Sequence, residues 1–274
     1  MILTSAEALA DAAVNALIDE VHVTPKPALV DCRGNGAHAD LNLPLMVESA
    51  RVLHPTFVAL ARAAAGARVD ESLRATLGAI GRAGEAAMLS ATGGVNAHRG
   101  AIWALGLLVS AAALRPSGDA HAIARIAGRI ARTTDSGNIP SERNGARARA
   151  TYRVGGAVAQ AQHGFPHVVD RALPALRAAR ARGCDEDHAC IEALLAIMAT
   201  LDDTCVLHRG GMRALTAAQD GARSVLEEGG IDTPRGRAAF DVLERTLLSF
   251  RASPGGAADL LSATLFLDRC TQNA

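Results

Sequence analysis

Aromatic residues make up only 3% of this 274-residue chain, with a single Trp and a single Tyr, so large rings cannot form its interior. Leu, Ile, Val and Ala must fill the core instead, and a 49% hydrophobic composition supplies enough of them for one sizeable domain. A net charge is also missing: Lys+Arg and Asp+Glu both total 28. That balance excludes a global field able to gather nucleic acid or an anionic membrane, and any anion site must be local. Lysine is almost absent, Lys26 standing alone among arginines. The five cysteines (32, 184, 190, 205 and 270) are odd in number and contain no CxxC pair, which argues against a disulfide scaffold. His188, between Cys184 and Cys190, lacks a fourth soft ligand in sequence, so no zinc site is expected there. The first residues carry no basic start followed by a long apolar run, and a reducing cytoplasmic setting is expected. No stretch of 18 residues is apolar and uncharged; the nearest, 101–114, is too short to span a bilayer and predicts a buried helix.

Strand signals are missing too, because no segment alternates apolar and polar residues with β-branched enrichment. Helical spacing is everywhere. Thr4 with Glu7 reads as a capping box opening a helix to about His22, with Leu9, Ala13, Leu17 and Val21 on one face. Further helices are predicted over 44–65, bent at Pro55, then 71–90 after Asp70, 98–114 after Asn96, and 120–133 after Asp119. The second half predicts helices at 142–162, 166–182, 186–201, 210–228, 234–251 and 256–270, with Gly183, Gly229 and Gly230 as stops. Neither a fixed-period repeat nor a low-complexity linker divides the chain. The expectation is all-α: one compact domain of ten or more helices spanning 1–274.

Four islands outside this pattern concentrate polar residues beside helix starts. The first, 26–42, carries Lys26, Asp31, Arg33, Asn35, His38 and Asp40, with Gly34 and Gly36 permitting close backbone approach. The second, 92–106, places Gly93, Gly94 and Asn96 ahead of His98 and Arg99; a helix N-terminus with an Arg beside it suits phosphate. In the third, 201–211, the Asp202–Asp203 pair suits Mg²⁺, and His208, Arg209 and two glycines follow. The fourth, 253–261, is a Gly-rich turn carrying Asp259. Taken singly each has a plainer reading: a turn, a solvated cap or an ordinary histidine. Two HRG triplets, at 98–100 and 208–210, both behind polar loops, make coincidence a poor account.

At these islands the chain resembles the triphosphoribosyl-dephospho-CoA synthases, which make the prosthetic-group precursor for citrate lyase and malonate decarboxylase. The phrases KPALVDCRGNGAHADLNLPL, GGVNAHRGAIWALGLL, AQHGFPHV, LDDTCVLHRGG and SPGGAADLLSATLFL carry the resemblance in family order. It implies a cytoplasmic transferase that joins ATP to 3′-dephospho-CoA with release of adenine, with Mg²⁺ as cofactor. The product would pass to a carrier-protein transferase, with a homodimer expected and neither nucleic acid nor membrane as partner. Under it, Asp40, His98, Asp202, Asp203 and His208 are the candidate catalytic residues. Lys26, Asp31, Arg33, Asn35, Gly36, His38, Gly94, Asn96, Arg99, Gly100, Arg209, Gly210 and Gly211 are the candidate substrate and phosphate contacts, and Asp40, Glu48, Asp202 and Asp203 the Mg²⁺ ligands. Departures from the family pattern fall at Ala28, where Gly is usual, at Ala97, at Cys205, where Asn is common, and at Asn42, which replaces a carboxylate of some members. Two rival readings compete. A prenyl-transfer enzyme would want a second acidic cluster and an aromatic pocket, and a non-catalytic helical scaffold would leave the HRG loops unexplained.

Overall fold

The structure, a computed structural model, describes residues 5–137 and 144–271. Its centre is α5 (Arg99–Leu114), the segment whose apolar run has no polar face. Leu105, Leu108 and Val109 are wholly buried there, and burying each such side chain stabilises by roughly 1.5–3 kcal/mol. Packed along it is α13 (Gly255–Thr271), with Leu261, Phe266 and Leu267 also fully buried. Around this pair lie α1 (Ala6–His22), α3 (His54–Ala64), α4 (Glu71–Ala91), α6 (Ala120–Arg132) and α10 (Glu186–Met198). In α6, Ile123, Ala124, Ala127, Ile130 and Ala131 face inward at helical spacing, while Arg125, Arg129 and Arg132 do not. The few rings are replaced by close approach: a Cβ on Gly106 would lie 3.1 Å from Leu60, across the α3–α5 contact.

Thirteen α-helices and no strand are found among the described residues, in one domain, as the sequence predicts. Side-chain caps set several starts: Asp70 accepts from the Leu73 N–H, Asp119 from Ala122 and Asp185 from His188. Ser5 caps α1 by accepting from Ala8, and the expected cap Thr4 lies outside the described residues. Other boundaries differ from expectation. The predicted 44–65 helix is two, α2 (Leu43–Val52) and α3, because Pro55 cannot continue the ladder; Asn42 caps the first. The 142–162 segment is also two, α7 (Asn144–Tyr152) and α8 (Gly156–Gln162), split where Gly156 takes φ +56°; positions 142 and 143 lie outside the described residues. A π-helical turn over Val168–Ala172 precedes α9 (Leu173–Ala181). Helix α11 (Thr204–Glu227) begins six residues before its predicted start, under an Asp203 cap, and breaks internally at Gly211 (φ 67°, ψ −166°). The predicted loop 204–210 is therefore a helical turn. Helix α12 (Pro234–Ser249), capped by Thr233, packs against α11.

Candidate active site

Three helix N-termini, those of α5, α11 and α13, meet at one junction, and buried carboxylates tie them together. Asp203 is 5% exposed. Its Oδ1 accepts from the backbone of Cys205 at 2.8 Å, and its Oδ2 accepts from Ala257 of α13 at 3.0 Å. One side chain thus answers the orphan N–H groups of two helices. Burial pushes its carboxyl up, and these amides, with that of Gly256, pull the other way. Asp259, on α13, lies against α5: a Cβ on Gly100 would stand 1.9 Å from its Oδ2, and the Ala101 N–H donates to it. It keeps partial exposure, yet burial first, and then the carboxylates of Asp203 and Glu20, push its carboxyl well above the usual range. Cys205 keeps an exposed face but packs against Gly255, and desolvation of its thiol together with the carboxylates of Asp203 and Asp259 pushes it up, away from thiolate.

On the inner side His98 is 3% exposed, its Nδ1 paired with Ser49 Oγ at 2.8 Å and its Nε2 buried without a partner. Burial, helped by the Lys26 charge, lowers its pKa to about 4, so the ring is neutral. Lys26 is itself 1% exposed and spends its ammonium on Glu20, with Oε1 and the backbone oxygen both at 2.6 Å. On the outer side, the guanidinium of Arg209 donates to His38 Nδ1 at 3.2 Å and to the Ala37 carbonyl. Asp40 lies 3.6 Å from the same imidazole. Burial and the Arg209 charge lower the His38 pKa, and Asp40 opposes them.

The expected residues therefore divide. His98, Asp203, Gly100, Arg209 and His38 belong to the junction. Asp31 and Arg33 staple the 23–42 loop instead: Asp31 accepts from the backbone N–H of Lys26 and Arg33, and Arg33 reaches Glu244 of α12 at 2.6 Å. Gly36 is a packing requirement, since a Cβ there would fall 2.5 Å from the Ala28 carbonyl. Gly94 donates to the Leu89 carbonyl at 2.7 Å and closes the end of α4. Asn96 accepts from the Arg99 N–H, and Arg99 pairs with Glu85 at 2.6 Å. Asn35, Asp40, Glu48, Asp202 and His208 are exposed. Gly210 lies against Phe250 and Ala252, and Gly211 makes the kink in α11.

The four expected Mg²⁺ ligands do not converge. Both oxygens of Asp203 are engaged by backbone amides, and the three-ligand cluster found among the described residues is elsewhere, at Cys184, Glu192 and Asp232. Sequence reasoning missed Glu20, Ser49, Glu85 and His167, and gave Asp259 no role. Glu20 left a readable signal, a carboxylate three residues after Leu17 on the buried face of α1. His167, whose Nε2 pairs with Thr200 Oγ1 at 3.1 Å and on which the Asp202 charge acts, left none that spacing could reveal.

Residues 6–274 match the family described as ATP:dephospho-CoA triphosphoribosyl transferase. The chain is 55% identical over 262 residues to a Klebsiella pneumoniae protein named 2-(5''-triphosphoribosyl)-3'-dephosphocoenzyme-A synthase, covering 95% of this chain and 94% of that one. An Azotobacter vinelandii protein, named as a probable enzyme of the same kind, is 57% identical over 268 residues, with 96% and 91% covered. A crystal structure of a candidate triphosphoribosyl-dephospho-CoA synthase from Archaeoglobus fulgidus has a TM-score of 0.52 at 19% identity, over 81% of this chain and 97% of that one. At that identity it supports the architecture alone.

Proposed function

The chain belongs to the ATP:dephospho-CoA triphosphoribosyl transferase family, and from that premise we propose that it moves the triphosphoribosyl unit of ATP onto the ribose 2′-hydroxyl of 3′-dephospho-CoA. The C1–N9 bond of ATP breaks, the hydroxyl oxygen bonds to C1, and adenine leaves with a proton while the triphosphate is kept. The observation carrying this reading is the junction of α5, α11 and α13, where two carboxylates, a neutral imidazole and an Arg meet. As the glycosidic bond loosens, the ribose gains oxocarbenium character, which nearby anionic oxygens stabilise. Arg209, which has no carboxylate partner among the described residues, holds phosphate together with His208. The attacking hydroxyl gives its proton to the exposed Asp40, beside the His38 imidazole whose Nδ1 is taken by Arg209. Lys26 and Arg33 are satisfied by Glu20, Asp31 and Glu244, and their work is to hold the loop that presents His38.

An Mg²⁺ that keeps water and phosphate oxygens needs only one or two carboxylates, and the exposed Asp202 fits that demand better than Asp203. Such an ion would neutralise triphosphate charge. The product's next acceptor, a transferase serving a malonate decarboxylase carrier rather than a citrate lyase one, is suggested by the HADLNLPLMVESARVLHPTF stretch.

The test is incubation with ATP, Mg²⁺ and 3′-dephospho-CoA, following adenine and product mass. Adenine release that depends on dephospho-CoA, with three phosphates in the product, is the expected result; folded protein that releases none overturns the reading.

A further inference from the structure

Three carboxyl groups gather around the junction, and they are not equivalent. Glu20 pairs with the Lys26 ammonium at 2.6 Å. Asp203 accepts hydrogen bonds from backbone N–H groups of both α11 and α13, which support its charged form against burial. Asp259 has one backbone N–H, from Ala101, and no ion-pair partner among the described residues. When like charges crowd a poorly solvated site, the group with the least support keeps its proton. Asp259 is also the member of the three that keeps partial exposure, Glu20 and Asp203 being 3% and 5% exposed. Gly100, in the first turn of α5, has no side chain to fill the space over Asp259 Oδ2, where a Cβ would stand 1.9 Å away.

We propose that Asp259 is the catalytic acid of the transfer, giving its proton to a ring nitrogen of the departing adenine. This rests on the reading above and adds the group that serves the leaving base. As C1–N9 breaks, its electron pair goes to adenine and the Asp259 proton bonds to the ring. The acceptor hydroxyl forms the new C1–O bond and passes its proton to Asp40, from which water returns one to Asp259. No oxidant or reductant enters, and protons balance over the cycle. The direction of the Asp259 shift, set by burial and by Asp203 and Glu20, agrees with a carboxyl that holds its proton more tightly than an ordinary aspartic acid.

The test compares wild type with Asp259→Asn on two donors: ATP, and a ribosyl triphosphate whose C1 carries 4-nitrophenolate, a leaving group that needs no proton. On ATP, kcat is expected to fall about 10²–10⁴-fold with KM changed by less than about threefold, and on the nitrophenyl donor the loss is expected to be less than about tenfold. An equal loss on both donors, or a kcat on ATP within about threefold of wild type, overturns the assignment. If Asp259→Asn does not fold, Asp259→Ala takes its place under the same criterion, a defect confined to ATP. Wild-type protein that releases no adenine with dephospho-CoA overturns the parent reading and this one together, whereas wild-type turnover with no donor-selective defect overturns this one alone.

Discussion

At the scale of single residues, chemistry and stability draw on the same groups. His98 is neutral in the folded chain because its ring is buried beside Lys26, with a pKa near 4 against 6.5 for an ordinary histidine. A lowered folded-state value means that the unfolded chain takes up the proton first as pH falls. The stabilisation is therefore complete above pH 6.5 and is lost as pH drops toward 4; 2.5 pH units correspond to about 3 kcal/mol. Urea unfolding of wild type and His98→Gln between pH 4.5 and 7 should show the wild-type curve falling more steeply, and parallel curves would refute the assignment. Ser49, which holds the ring, is wholly buried on α2.

Residue type alone does not separate ligands from staples. Asp31, Arg33 and Lys26 stood out because they are charged and sit among prolines and glycines. A chain that leaves regular structure must satisfy its own N–H and C=O groups, and the side chains suited to that are the ones suited to binding phosphate. The reverse holds for Asp203, which was expected to bind metal and instead caps two helices.

At the scale of elements, most helices were legible because apolar spacing and a cap agree, as at Asp70 and Asp119. The start of α11 was hidden because Gly210 and Gly211 read as the end of a loop. Gly211 is instead an internal break, with φ 67° and ψ −166°, a region that residues with a Cβ avoid. That break divides the turn carrying His208 and Arg209 from the long remainder of α11, which packs on α12. Gly211→Ala should cost about 1–3 kcal/mol, from the strain of that conformation, with little change in helix content. Because the Cβ would also stand 3.3 Å from the Tyr152 hydroxyl, the turn and that side chain must part by a few tenths of an ångström, and KM for ATP should rise along with the loss of stability. Denaturant midpoints and steady-state kinetics on the same sample check both parts, and a variant as stable as wild type would mean that the break is relaxed rather than imposed.

At the scale of the whole molecule, the junction is assembled from segments distant in sequence. Glu20 lies near one end of the chain, His98 and Gly100 in its first half, and Arg209 and Asp259 near the other end. Sequence order hides this convergence, and the packing of α5 against α1 and α13, with α11 held to α13, creates it. A ligand held there touches elements that must all be in place at once, so binding should stabilise the entire domain rather than one loop. For a ligand at about 100 times its Kd that excludes the unfolded chain, the gain is about 2.7 kcal/mol, or roughly 5–10 °C in Tm at this chain length. ATP with Mg²⁺ should give a shift of that size, and EDTA should remove most of it if the ion bridges the triphosphate to Asp202. Arg209→Ala should shrink the shift while leaving the Tm of the free protein within about 2 °C, because this arginine is exposed and forms no ion pair among the described residues. A full shift in Arg209→Ala would remove that residue from the phosphate site, and a shift indifferent to EDTA would place the triphosphate on protein groups alone.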